Sequence, residues 1–218
     1  MGVEIPLFPL GTVLFPHMPL RLHIFEERYR DMLRDCKVLG TSFGVVGIRE
    51  GVEVGRQAAT PYTVGTLAQI RSLDELDDGS YNVVVSGASR FLVAGISLGA
   101  RTYLVGDITY LEDIAGDALT LDRLARRVRG AFIGYTHALG QLTEETNTDL
   151  ELPDDPELLS YLVAASLQIE THHKQELLEV DSAEDRLALC MRFLRREGVL
   201  LEKSLARPER GTTTMSPN

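Results

Sequence analysis

The 218-residue chain has no tryptophan, only two cysteines and only three lysines. Cys36 and Cys190 stand far apart in the sequence and suit reduced, buried thiols better than a disulfide framework. No His/Cys cluster with zinc-finger spacing accompanies them. Lys37, Lys174 and Lys203 follow Cys36, His173 and Glu202, so no Gly-Lys-Ser/Thr is present to cradle a nucleotide phosphate. A Ser–Lys hydrolase needs one desolvated lysine, and all three sit in polar surroundings that predict a solvated surface. Nor is there a G-x-G-x-x-G fingerprint after a strand or a G-x-S-x-G elbow. Positive charge is scarce: 22 basic residues face 32 acidic ones, for a net charge of −10. Residues 1–110 hold 10 basic and 12 acidic side chains, and residues 111–218 hold 12 and 20. That balance disfavours nonspecific phosphate binding.

Long uninterrupted apolar runs are missing too. The segment "IPLFPLGTVLFPHMPLRLHIF" (5–25) is greasy, but Pro6, Pro9, Pro16, Pro19 and Gly11 break any spanning helix. A secretory signal needs a basic start, whereas Glu4 precedes this segment and the first basic residue is Arg21. Pro6 occupies the position where myristoylation wants Ser or Thr. These features predict a cytoplasmic protein with no membrane association.

What is present changes period near residue 112. Before it, "SFGVVGI" (42–48), "TVGTLAQI" (63–70), "YNVVVS" (81–86), "RFLVAGI" (90–96) and "YLVGDITYL" (103–111) read as strands. "LDDGS" (76–80) and "SGAS" (86–89) read as turns between them. Leu20, Leu22 and Ile24 alternate with Arg21 and His23, and the four prolines fit strand ends and bulges. One helix interrupts this half over residues 26–36, burying Tyr29, Met32, Leu33 and Cys36.

From residue 116 the spacing is helical, with a stripe of Leu121, Leu124, Val128, Phe132, Tyr135, Leu139 and Leu142. Asp155 caps a further helix that has Pro156 at its first position. Thr171 is a candidate cap for a short helix, and Ser182 with Asp185 resembles a capping box for the last one. The division is therefore 1–112 for a β subdomain, 113–206 for a helical subdomain and 207–218 for a flexible tail.

Few constellations carry chemistry. His172 and Glu176 share a helix face, but the sequence offers no evident third ligand, so no metal or other cofactor is expected. "DRLARRVR" (122–129) puts four arginines around a helix, which reads as a solvated face on an acidic protein. Phe8, Phe15, Met18 and Phe25 are expected in the core or lining a groove where the two halves meet.

The stretch "IPLFPLGTVLFPHMPLRLHIFEERYRDML" resembles the amino-terminal, substrate-binding domain of the Lon protease family. The likeness continues through "PYTVGTLAQI" (61–70), "VSGASRFLV" (85–93) and "KQELLEVDSAEDRLALCMRFL" (174–194), and spans about residues 3–206. It implies an α+β fold: a PUA-like, mostly antiparallel β pseudo-barrel with one inserted helix, followed by a helical bundle. It implies polypeptide recognition without catalysis, in a stand-alone form that lacks the ATPase and peptidase domains. Partners would be unfolded or specific polypeptides, or a separate Lon enzyme, with no nucleic acid. An RNA-binding PUA-like module and a metal-dependent enzyme built around His172 are the alternatives. Met18, at a loop between strands, Tyr62, opening a strand, and Arg90, with its fork of donors, are expected to form the polypeptide-contacting patch.

Overall fold

The computed structural model describes residues 2–51, 60–98, 101–143 and 151–205. The order of elements is β1 (Val3–Leu10), β2 (Pro19–Ile24), α1 (Glu27–Leu39), β3 (Phe43–Glu50), β4 (Thr60–Glu75), β5 (Tyr81–Ser97) and β6 (Leu104–Leu111). The helices α2 (Ala118–Thr143), α3 (Pro156–Ser166), α4 (Thr171–Glu179) and α5 (Ala183–Leu205) follow. The expected tail falls outside the described residues.

The strands lie in the order β2-β5-β4-β3-β1-β6, and β5 also pairs with β6, so five strands close on themselves with β2 at the edge. β1 and β3 run parallel; the other pairings are antiparallel. β1 changes partner along its length. Val3–Leu7 pair with β6 and Leu7–Leu10 with β3. Pro6 and Pro9 lie inside β1 rather than at its ends, each where one side of the strand has no neighbour. A missing N–H costs least at such a position.

β5 corrects the sequence reading. "SGAS" is not a turn between two strands but part of a single 17-residue strand. The small residue at 87 answers a different need: a Cβ there would lie 2.1 Å from the carbonyl oxygen of Phe15. Pro16 bridges to Gly87, and His17 N donates to Gly87 O at 2.9 Å. This clamps the β1–β2 connection onto β5. Inside the ring, Phe91 fills space left by Gly44 and Gly65, whose added Cβ atoms would lie 2.5 and 2.7 Å from its Cζ.

Three apolar clusters result. Ile5, Leu7, Val46, Phe91, Val93 and Ile108 fill the strand ring. α1 packs Tyr29, Met32, Leu33 and Cys36 against Phe8, Phe43 and Val83 on the outer face. The largest cluster joins the halves, with Val13, Phe15 and Val64 meeting Val128, Phe132, Leu159, Leu187 and Leu194 of the helices. Helix starts follow capping chemistry. Asp155 accepts from the amides of Glu157 and Leu158 at 2.8 and 3.0 Å. Ser182 Oγ accepts from Asp185 N and donates to the Asp185 carboxylate. Thr171 does not cap α4; Glu170 holds the cap position, and Thr171 Oγ1 donates to Gly11 O at 2.8 Å, tying α4 to the β half. α5 runs through Gly198 to Leu205.

Candidate functional site

The three residues expected to contact polypeptide have different fates. Arg90 is only 2% exposed. Its Nη1 donates to the carbonyls of Leu178 and Val180, both at 2.8 Å, and its Nη2 donates to Asp113 at 2.6 Å. It has no surface to offer a partner and is a brace between the halves. Tyr62 is half-buried, its ring 3.2 Å from the position of a Cβ built on Gly47. Met18 is half-buried against the helical cluster. Lys174, expected on the surface, is half-buried; its Nζ donates to Ala165 O at 2.9 Å, and desolvation lowers its pKa.

The brace is a buried network that the sequence reading missed. Asp113 accepts from Arg90 and, at 2.8 Å, from Arg186 Nη2. Tyr161 Oη donates to the same carboxylate at 3.2 Å, and its pKa is raised, mainly by burial. Arg186 lies 3.9 Å over the Tyr161 ring and donates to Ser160 Oγ, Leu177 O and Val180 O. A cleft of about 510 Å³ opens above it, lined by His17, Arg71, Ser89, Glu112 and Glu157 among others. Its rim is charged and of both signs, a poor receptor for an apolar chain.

A second cleft, of about 580 Å³, lies beside α1 and the start of β1. Val3, Glu4, Ile5 and Pro6 form one wall; Leu39, Leu67, Val105 and Tyr110 add apolar surface. Val3 is 44% exposed, Leu39 64% and Tyr110 47%. Among the described residues, Val3–Pro6 pair with β6 on one side only, because β3 joins β1 from Leu7 onward. The cleft thus combines exposed apolar side chains with a half-strand lacking a neighbour on one side. Its polar corner is fixed: Tyr103 Oη donates to Asp35 at 2.6 Å, and Arg101 pairs with the same carboxylate. Burial, then that hydrogen bond, raises the Tyr103 pKa. Burial also raises that of Cys36, leaving an unreactive thiol in the lining. Exposed ends of strands give no periodic signal, so only the partner switch in β1 reveals this site.

Among the described residues, no helix is long and apolar enough to cross a membrane. Residues 4–196 match the family model described as the ATP-dependent protease La (LON) substrate-binding domain. Lon protease of Brevibacillus choshinensis is 28% identical over 205 residues, covering 91% of this chain and 26% of that protein. Lon protease 2 of Myxococcus xanthus is 31% identical over 212 residues, covering 92% and 24%. The chain therefore spans about a quarter of the length of the curated relatives it matches. A crystal structure of a Lon N-terminal domain protein from Xanthomonas campestris matches with a TM-score of 0.65 and 26% identity, covering 87% of this chain and 98% of that one. The N-terminal domain of the Mycobacterium avium complex Lon protease shares the fold, with a TM-score of 0.67 at 14% identity, covering 88% and 98%. With a mixed sheet and five helices among its described residues, in an α+β arrangement, the chain belongs to the Lon substrate-binding domain family.

Proposed function

We propose that the protein is a non-catalytic polypeptide-binding module that takes extended apolar segments in the cleft between β1 and α1. The observation that carries this reading is the apolar cleft beside Val3–Pro6, the half of β1 that lacks a second neighbour. An extended chain laid there would gain backbone hydrogen bonds and place alternate side chains against Leu39, Leu67 and Tyr110. Burying about 300 Å² of apolar surface contributes ~7 kcal/mol before ordering and association costs of similar size. Binding is then weak and broad, which suits sampling of unfolded chains.

The fold reading that accompanies this is a PUA-like pseudo-barrel over 1–112 carrying a helical bundle over 113–206, the two acting as one unit through the Arg90 brace. The absence of a Gly-Lys-Ser/Thr motif supports a role without nucleotide hydrolysis. The net charge of −10 supports polypeptide rather than nucleic acid as partner, in a cytoplasmic setting.

The test is fluorescence anisotropy with labelled, reduced and carboxymethylated casein. Leu39→Asp combined with Tyr110→Ser should weaken binding fivefold or more with the thermal midpoint unchanged. Met18→Ser with Tyr62→Ser serves as the competing surface. If only that pair weakens binding, the cleft is the wrong place; if wild-type protein does not bind, the function is wrong.

A further inference from the structure

The first two turns of α4 gather His172, His173 and Glu176, with one potential ligand atom from each lying within 4.8 Å of the others. The third ligand that sequence spacing did not supply is His173, the immediate neighbour of His172. Their rings are 3.9 Å apart. His173 carries the most telling atom. Its Nδ1 is buried without a hydrogen-bond partner and faces Glu176 Oε1 at 3.5 Å. The atom reaches the carboxylate only at ion-pair distance with no hydrogen bond closing the gap, and an ion between imidazole and carboxylate would fill it.

We propose that His172, His173 and Glu176 form a binding site for a borderline transition-metal ion of the zinc class. Two imidazoles and a carboxylate are a ligand set that zinc favours, whereas magnesium and calcium want oxygen alone. Glu170 lies 3.1 Å from His172 Nδ1. A proton held there leaves Nε2 of His172 as the donating nitrogen, the role carboxylates play behind metal-bound histidines. The positive end of the α4 dipole opposes a cation at this position, and Glu170 and Glu176 offset it. Arg196 donates through Nε to Glu197 at 2.8 Å and places Nη1 3.1 Å from His173 Nε2; ligation through His173 Nδ1 moves the ring proton to Nε2, so Nη1 swings away while the bond to Glu197 is kept. With three protein ligands the ion keeps an open position. The physical consequence is a clamp at the start of α4, the helix whose Thr171 and Gln175 bond to Gly11 O and Val64 O of the β half.

The test is isothermal titration of the full chain with zinc chloride in a non-chelating buffer. One equivalent should bind, magnesium chloride should give no saturable heat, and His172→Ala and Glu176→Gln should each weaken zinc binding tenfold or more. Both side chains are about half exposed, at 49% and 52%, so neither substitution threatens the fold. Circular dichroism without metal should show unchanged midpoints. Zinc at a hundredfold excess over its dissociation constant should raise the wild-type midpoint by about 5–10 °C and leave the variants' nearly still. No saturable zinc binding by the wild type, or equal binding by both variants, overturns the site.

Discussion

Replacing Arg90 by alanine separates a surface role from a structural one. The guanidinium is 2% exposed and donates to Asp113 after β6 and to the carbonyls of Leu178 and Val180 around the end of α4. Breaking a buried ion pair from one side typically costs 3–5 kcal/mol, because the stranded partner remains desolvated. Here Asp113 keeps Arg186 at 2.8 Å and Tyr161 at 3.2 Å, so it is not stranded alone. Arg90 Nε is itself buried without a partner, which lowers the net worth of the brace. The low end, about 3 kcal/mol, is therefore the expectation. For a chain of this length that corresponds to a fall of about 6–12 °C in thermal midpoint. Arg90→Lys keeps the charge but lacks the fork that reaches three acceptors, and should fall between alanine and wild type. The assay is thermal and urea denaturation followed by circular dichroism, with casein binding measured well below the midpoint. A loss under about 2 °C with casein binding abolished would refute the brace and restore Arg90 as a contact residue.

Other substitutions test the same framework. Gly87→Ala should destabilise strongly and shift the amide signals of Phe15 and His17, since the new Cβ would meet Phe15 O at 2.1 Å; a neutral midpoint would contradict the clamp. Asp155→Ala removes a cap that serves two amides and should cost about 1 kcal/mol in urea denaturation. Cys190 is fully buried, and desolvation raises its pKa from 9.0 to about 12. It should resist alkylation at pH 8 until the protein unfolds. The folded state disfavours the thiolate, so this group's stabilisation is intact below pH 9 and is lost as pH rises toward 12. Rapid native-state labelling at Cys190 would overturn the packing of α5 on α3.

The period of two before residue 112 and the helical period after it were legible because each element buries one face against a single neighbour. α1 shows this plainly: Tyr29, Met32, Leu33 and Cys36 all turn inward, as their spacing predicts. Legibility failed where a strand is covered on both faces. Arg90 and Phe91 are adjacent and both buried, with Thr66 and Gly65 as their register partners on β4. Phe91 points into the ring, while Arg90 meets the helices. No alternation survives there, and an arginine beside a serine reads as solvated. Asp113 and Arg186 were hidden for the same reason, since the helical half supplies their partners from distant sequence. The parallel pairing of β1 with β3 is also nonlocal, and it governs the proposed site. Had β3 paired with β1 along its whole length, Val3–Pro6 would have neighbours on both sides. The switch at Leu7 leaves that half-strand open, and α1 ends beside it with Leu39 exposed. The apolar, proline-punctuated start of the chain thus serves two ends. Its later part builds the core, and in the function proposed here the backbone of its first four strand residues takes up the incoming chain.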